Sequence, residues 1–284
     1  MPTTADLAAR FSAIIALQQD VLAAASGEEA ELLNLIVRKT AAIASGGGAI
    51  VQLLYDQDLV FRAVSGPLEH FVGAHIATEQ SLSGICIRDR EVLRSDDSAS
   101  DPRADAEAVR DMEIGSMVVA PLLDHERAIG VLTVYAKRSH AFEDLDVYVL
   151  RLIAGLTSSA LMLARELRER RTSEERYRML FEKNVAGVFR TALDGTILDC
   201  NDALVHEFGY ASRQELMRLK ASDLYLVPSS REHLLESLLQ QGSMTNVHVS
   251  LKRNDGSPFH GLMNISIIPA EGGEVQLLGT LVEE

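Results

Sequence analysis

Residues 116–135, SMVVAPLLDHERAIGVLTVY, form the stretch that decides the fold. Two runs rich in valine, leucine and isoleucine, residues 116–123 and 129–135, flank a polar segment at residues 124–127. Branched aliphatic residues favour strands, and a short polar segment between two such runs is typical of a β-hairpin. The stretch therefore predicts two antiparallel strands joined by a tight turn.

The segments before this hairpin predict a sheet covered by helices. Apolar residues recur every three or four positions across residues 5–25, and a capping-box pattern at Ser26 and Glu29 opens a second helix that ends near Ala44. Further predicted elements are strands at 49–55, 59–65 and 91–95, a short helix near 81–88 and an acidic loop at 96–103. We expect an α+β domain, an antiparallel sheet flanked by helices.

A long helix is predicted after the hairpin. It begins near Glu143 and runs past Arg170, with residues spaced four and three apart as in a coiled-coil seam: Leu145, Val149, Leu152, Leu156, Ser159 and Leu163. Interspersed arginine and glutamate then replace the seam, which is typical of a solvent-exposed connecting helix. Thr172 and Glu175 predict a new helix start. We therefore place two domains, at residues 1–170 and 171–284, joined by a long helix.

The second domain has short elements that predict another antiparallel sheet with helices on one face. Asp194-Gly195 lies between strands at 188–191 and 196–200, and an Asp-Gly pair in that position is a strong hairpin signal. A capping box at Ser212 and Glu215 predicts a helix start. The remaining predictions are a helix at 230–240 and strands at 245–253, 259–267 and 275–282.

Composition narrows the classes of function. The 284 residues carry 27 Lys+Arg against 41 Asp+Glu, a net charge of −14, which argues against delocalised binding to nucleic acid. Two cysteines cannot form a disulfide framework or a cysteine-rich zinc site, and they predict a reducing, cytoplasmic location. The amino terminus lacks an export-signal pattern, and the least charged helical stretch, 13 residues at 152–164, is too short to span a bilayer.

The order of the predicted elements, together with the residues quoted next, resembles a GAF domain followed by a PAS domain. The GAF resemblance covers roughly residues 20–160 and rests on SLSG (81–84), DD and DPR (96–103), SMVVAPL (116–122), IGVL (129–132) and FEDLD (142–146). The PAS resemblance covers roughly residues 173–284 and rests on ERYR (175–178), FE (181–182), DGTILDCN (194–201), GY (209–210), EL (215–216) and RNDGSPF (253–259).

This resemblance implies a sensory module of a signal-transduction protein. Each such domain encloses a small-molecule pocket or the remnant of one, and binding tilts the helices at its ends. It further implies a homodimer through a helical bundle and a downstream output domain or partner kinase, of the histidine kinase or cyclic-dinucleotide cyclase class. The sequence holds no phosphoacceptor-histidine box, nucleotide-binding glycine box or cyclase signature. We therefore expect regulation and not catalysis in this chain.

The faces of the predicted strands and helices give candidate pocket residues. For the first domain they are Ile85, Cys86, Asp97, Arg103, Met112, Ser116 and Val118. For the second domain they are Phe189, Phe208, Leu224, His233, Leu234, Val249 and Asn264. An alternative stays open, in which these are filled cores and the chain is a ligand-free dimerisation or interaction scaffold.

Three resemblances to cofactor or ligand sites are incomplete. His233 follows Leu-Val-Pro at 226–228, as in haem-binding PAS sensors, but two positions early, so we expect no cofactor and keep a haem gas sensor as an alternative. Cys86 is the single cysteine of the first domain, whereas GAF proteins that reduce methionine sulfoxide use several. Lys137 and Asp146 match part of a cyclic-nucleotide pattern, and we expect them to pair with each other.

Overall fold

The computed structural model describes residues 4–44, 46–79, 81–270 and 273–284, with side chains from Leu7 onward. The chain divides into two compact units, Met1–Arg170 and Arg171–Glu284. Each unit is built on an antiparallel sheet flanked by helices, which confirms the predicted α+β class.

The first unit contains a six-stranded sheet in the order β3-β2-β1-β6-β5-β4. Its strands are β1 (Gly48–Tyr55), β2 (Asp58–Ser65), β3 (His75–Ala77), β4 (Leu93–Ser95), β5 (Ser116–Asp124) and β6 (Arg127–Ala136). β5 and β6 form the predicted hairpin, in which Asp124 lies opposite Arg127. The tight turn at residues 124–127 forms as predicted, with His125, at a φ of 54°, and Glu126 connecting the two strands.

Helices cover both faces of this sheet: α1 (Thr4–Ala24), α2 (Glu29–Ile43), α3 (Leu82–Asp89), α4 (Ala106–Asp111) and α5 (Asp144–Glu182). One core joins a sheet face to α1, α2 and the first half of α5, with Leu32, Val118 and Ile153 fully buried. A second core lies on the opposite face under α3 and α4 and includes Phe61 and Cys86. The predicted Ser26 and Glu29 capping box does not form, since α2 begins without a side-chain cap.

α5 is one uninterrupted helix of 39 residues. The helix start predicted at Thr172 is wrong, because residues 156–182 contain no helix-breaking glycine or proline. Salt bridges such as Arg165–Glu169 (2.8 Å) further support the exposed turns. The residues of the predicted coiled-coil seam do not share one environment, since Val149 is buried in the core whereas Leu152 is 49% exposed.

The second unit contains a five-stranded sheet in the order β8-β7-β11-β10-β9. Its elements are β7 (Gly187–Ala192), β8 (Ile197–Cys200), α6 (Asp202–Glu207), α7 (Arg213–Leu216), α8 (Ser229–Gln241), β9 (Ser243–Lys252), β10 (Pro258–Pro269) and β11 (Val275–Glu283). The Asp194-Gly195 turn forms as predicted, with Gly195 at a φ of 88° that favours glycine. The predicted start of α7 is confirmed, since Ser212 Oγ accepts a hydrogen bond from Glu215 N at 3.3 Å.

Two helices among the described residues are long and apolar enough to cross a membrane by length and composition alone. They are Leu7–Ala24 in α1 and α5, and half of the apolar window in α5 is buried inside the protein. Core helices of soluble proteins pass the same test, so this is weak evidence for membrane insertion.

Candidate functional site

The second unit encloses a cavity of about 40 Å³ between its sheet and the helices α6 and α8. Strand residues two positions apart share a face, so alternate residues of β7, β10 and β11 form its floor. Leu204 of α6 and residues of α8 close it from the other side. Most of its lining is apolar, including Phe189, Ile197, Phe208, Leu224, Leu234 and Ile265.

Three polar side chains line this apolar cavity: Thr191, Tyr225 and Arg231. Arg231 is 8% exposed, and its Nη2 donates a hydrogen bond to the Leu193 carbonyl oxygen at 3.2 Å. Burial lowers the pKa of its guanidinium. Tyr225 is 5% exposed, and desolvation raises its pKa to about 12, so its hydroxyl stays protonated. The cavity therefore holds one cation and two neutral hydroxyls.

Four of the predicted residues, Phe189, Phe208, Leu224 and Leu234, line this cavity, and three do not. Val249 is buried in the same core but away from the cavity. Asn264 is exposed, and its Oδ1 accepts a hydrogen bond from Asn246 N at 2.9 Å across the sheet edge. His233 lies on the exposed face of α8, with its Nδ1 2.9 Å from the Ser229 carbonyl oxygen.

Haem does not fit this site. His233 lies outside the cavity, and none of the residues that line it in the described chain is a histidine. About 40 Å³ is room for a few water-sized groups, far less than a porphyrin requires.

A smaller polar cluster lies in a cavity of about 50 Å³ in the first unit. Gln52 of β1 and Thr133 of β6 are buried on its floor, and Ser83 Oγ of α3 donates a hydrogen bond to Gln52 Oε1 at 3.2 Å. The Thr133 hydroxyl is buried without a hydrogen-bond partner among the described residues. The floor of this cavity in the first unit is therefore more polar than the floor of the cavity in the second unit.

Of the residues predicted for this cavity, only Met112 lines it among the described residues. Ser116 and Val118 were assigned to the wrong face of β5, because a strand alternates its side chains and Met117, one residue along, faces the cavity. Val118 instead packs against the helices of the opposite face. Ser116 is buried at the strand end, where its Oγ donates to the Arg138 carbonyl oxygen at 2.8 Å.

The other four predicted residues of the first unit have structural contacts. Ile85 is half-buried on α3. Cys86 is fully buried beside β5, with Sγ 3.6 Å from the Val119 carbonyl oxygen, and burial raises the pKa of its thiol to about 12. Asp97 accepts a hydrogen bond from Ser100 Oγ at 2.8 Å. Arg103 Nη2 pairs with Asp101 Oδ2 at 2.7 Å in the same loop.

The expected pairing of Lys137 with Asp146 is wrong. Lys137 pairs with Glu113, and Asp146 Oδ1 lies 2.6 Å from Arg10 Nη1 of α1. Asp146 Oδ2 also accepts a hydrogen bond from Glu143 N at 2.8 Å, which caps the start of α5. Both oxygens of the Asp146 carboxylate therefore have structural partners, so this residue is not placed to bind a cyclic nucleotide.

Asn201 is a fully buried amide that connects the last turn of α5 to the cavity wall. Its Oδ1 accepts hydrogen bonds from Val188 N (2.8 Å) and Leu204 N (3.0 Å). Its Nδ2 donates to the carbonyl oxygens of Phe181 (3.0 Å) and Ala186 (2.9 Å). Leu204 lines the cavity and Phe181 belongs to α5, so one side chain joins the two.

A salt bridge makes a second connection at the same end of α5. Arg213 Nη2 lies 2.5 Å from Glu182 Oε1, and the guanidinium carbon lies 6.0 Å from the centroid of the Phe181 ring. The PAS-like motif at residues 194–201 includes Asn201, but the sequence did not predict its hydrogen bonds to Phe181 and Leu204. Arg231 was missed altogether, although positions 231, 234, 235 and 238 form one face of α8, where an arginine interrupts leucines.

Comparisons with known proteins agree with both folds. The GAF domain family matches residues 26–162, and a PAS domain family matches residues 185–283. No curated protein matches this sequence.

Three solved structures are among those similar to parts of this chain. A free methionine-R-sulfoxide reductase from Neisseria meningitidis, in complex with its substrate, has 16% identity and a TM-score of 0.51, covering 58% of this chain and 95% of its own. The second GAF domain of DevS from Mycobacterium smegmatis has 21% identity and a TM-score of 0.43, covering 50% and 99%. A PAS domain of an HTR-like protein from Haloarcula marismortui has 20% identity and a TM-score of 0.36, covering 42% and 98%.

The described chain therefore contains two α+β domains, each with a small cavity between its sheet and its helices. The chain is a GAF domain followed by a PAS domain. Domains of these two families are generally sensory, regulatory modules in signalling proteins. They are also typically soluble.

Proposed function

We propose that this chain is the ligand-responsive sensory part of a cytoplasmic signal-transduction protein. In this proposal the PAS cavity binds a small molecule, and α5 conveys the resulting conformational change to an output domain or a partner kinase. The observation that carries the proposal is the Asn201 amide, which bonds a cavity-lining residue, Leu204, and the last turn of α5 at Phe181. A ligand that displaces Leu204 therefore displaces a group bonded to α5.

Hydrogen exchange tests this coupling. The full chain is purified under native conditions, and any small molecule that it retains is released and identified by mass spectrometry. Adding that molecule back to ligand-free protein is expected to change amide exchange at residues 176–183 in the wild type and not in Asn201→Asp, in which the bonds to the Phe181 and Ala186 carbonyl oxygens are lost. Exchange at these residues that does not respond to a bound ligand contradicts the proposal.

We further propose a homodimer formed through α1 and α5. Exposed apolar side chains follow both helices, with Phe11, Ile15 and Leu22 on α1 and Tyr148 and Leu152 on α5. Burying such side chains against a second copy is favourable by roughly 25 cal/mol per Å². The double variant Phe11→Asp, Leu152→Asp is expected to be monomeric in light scattering, whereas Arg110→Asp on α4 keeps the dimer mass. An unchanged mass in the double variant contradicts this interface.

A ligand-free interaction scaffold is the second candidate. The observation in its favour is the small size of both cavities, about 40 and 50 Å³, which a modest shift of apolar side chains would fill. In that case no small molecule binds either domain, and the protein acts through its surfaces alone. The co-purification experiment distinguishes the two candidates.

A further inference from the structure

Arg231 is a buried cation without a carboxylate partner among the described residues. Its one hydrogen bond there goes to a backbone carbonyl, at 3.2 Å. The carboxylate whose charge acts on Arg231, that of Asp194, is already paired with Lys220 Nζ at 2.7 Å. Arginine is almost never fully buried unless it is paired, since an unpaired charge loses its hydration without compensation.

The two hydroxyls that line the same cavity also have few hydrogen-bond partners among the described residues. Among the described residues, the Tyr225 hydroxyl has one hydrogen-bond partner, the Met263 sulfur at 4.0 Å, and a thioether is a weak acceptor. Thr191 is 3% exposed, and its hydroxyl makes no hydrogen bond within the described chain. Arg231 and both hydroxyls therefore keep hydrogen-bonding capacity for a ligand, and no carboxylate of the described residues lines this cavity.

We propose that the PAS cavity binds a short-chain aliphatic monocarboxylate whose carboxylate pairs with Arg231 and accepts hydrogen bonds from Tyr225 and Thr191. This inference rests on the sensory function proposed above and specifies its ligand. The hydrocarbon chain packs against Phe189, Leu234 and Ile265, which line the remainder of the cavity. A carboxylate supplies the negative charge that Arg231 lacks and the oxygen acceptors that both hydroxyls lack.

The lining also selects against other anions. A dicarboxylate or a phosphate ester places further negative charge or polar atoms against leucine and phenylalanine side chains, and Arg231 is the one cation of the described residues that lines the cavity. The volume sets the length, since a water-sized group occupies roughly 10 to 15 Å³ by this measure and the cavity measures about 40 Å³. That is room for three or four water-sized groups, so acetate, with four non-hydrogen atoms, matches the cavity as it stands, and butyrate, with six, requires a small outward shift of the apolar side chains.

Calorimetric titration of the full chain with sodium butyrate tests the assignment. Butyrate is expected to bind the wild type, and butyramide, which has the same shape without the charge, is expected to bind at least tenfold more weakly. Arg231→Met is expected to weaken butyrate binding by roughly 10- to 100-fold, as expected for loss of charge-assisted hydrogen bonds. Arg218→Met removes an exposed arginine of the same domain and is expected to leave the affinity unchanged.

Further variants keep the test decisive if Arg231→Met does not fold. Thr191→Val conserves shape and removes one hydroxyl, and Tyr225→Phe removes the other, so each is expected to weaken butyrate binding several-fold. Tighter binding of octanoate than of butyrate would overturn the short-chain assignment. Binding of butyramide or other neutral fragments without binding of butyrate overturns the carboxylate assignment and leaves the sensory proposal intact. If no carboxylate, neutral fragment or co-purified molecule binds, both proposals fail.

Discussion

Replacing Asn201 with alanine removes four buried hydrogen bonds from the PAS domain. The side chain is fully buried, and its partners are two backbone N–H groups and two carbonyl oxygens at 2.8 to 3.0 Å. A buried hydrogen bond contributes about 1 kcal/mol net, and a group left unpaired costs about 1 to 3 kcal/mol. We therefore expect Asn201→Ala to lower the free energy of unfolding of this domain by about 4 kcal/mol.

Asn201→Asp separates the two roles of this amide. The carboxylate still accepts hydrogen bonds from Val188 N and Leu204 N, and aspartate is a good residue at a helix start. Its second oxygen, however, faces the carbonyl oxygens of Phe181 and Ala186 and has no proton to donate. The expected loss is about 3 to 4 kcal/mol, because a buried charge that faces two carbonyl oxygens adds to the two lost hydrogen bonds, and it is concentrated at the end of α5.

Urea denaturation followed by circular dichroism measures both losses, and hydrogen exchange in β7 and β11 assigns them to the PAS domain. Ser212→Ala is the matched control, because Ser212 is an exposed helix cap with one long hydrogen bond of 3.3 Å to Glu215 N. It should lose no more than about 1 kcal/mol. A loss below about 1.5 kcal/mol for Asn201→Ala would refute the reasoning that the buried amide holds α5 to the sheet.

Three further predictions concern single residues. Burial raises the Glu207 pKa to about 7, so the folded state binds a proton that the unfolded state releases near pH 4.5. The free energy of unfolding should therefore decrease by roughly 1 to 2 kcal/mol, a figure reduced for solvent screening, as the pH rises from about 4.5 to about 7. Glu207→Gln should remove this decrease in urea denaturation measured over the same pH range. Gly84→Ala places a Cβ 1.7 Å from the Thr78 carbonyl oxygen and should cost about 3 kcal/mol in thermal unfolding, whereas Gly155→Ala, with open space, should stabilise by about 1 kcal/mol. The buried Cys86 thiol should resist iodoacetamide in the folded state and react in urea, as read by mass spectrometry.

Each of these predictions has a contradicting outcome. A pH profile of Glu207→Gln parallel to that of the wild type shows that another group titrates between pH 4.5 and 7. A stable Gly84→Ala variant shows that the α3 start moves freely away from Thr78. Alkylation of Cys86 at the rate of a free thiol in the native protein shows that the α3 region opens readily.

Local patterns in the sequence predicted most of the fold. The hairpin of β5 and β6, the Asp194-Gly195 turn and the Ser212 cap follow from residues a few positions apart, and all three form. Errors arose where one residue of register decided the outcome. Met117, and not Val118, faces the cavity, because adjacent strand residues point to opposite faces and β5 is buried on both.

Long-range pairs could not be predicted from one sequence. Asp146 pairs with Arg10, which lies 136 positions away, although Lys137 is nearer along the chain. The apolar residues of the PAS cavity were easier to predict, since hydrophobic periodicity indicates which face of a helix or strand is buried. Arg231 departs from that periodicity, and a polar residue on an apolar face is the signal that points to its position.

The strength of the Asn201 bonds limits how a ligand in the PAS cavity can act on α5. A ligand shifts a conformational equilibrium only by the difference between its affinities for the two states. A carboxylate that binds with a dissociation constant of about 1 mM has about 4 kcal/mol available in total, which is no more than the amide itself contributes. Such a ligand cannot break these bonds and still bind. We therefore expect Leu204, Asn201 and the last turn of α5 to stay bonded and to move together, so that binding makes this turn open less often and slows amide exchange at residues 176–183.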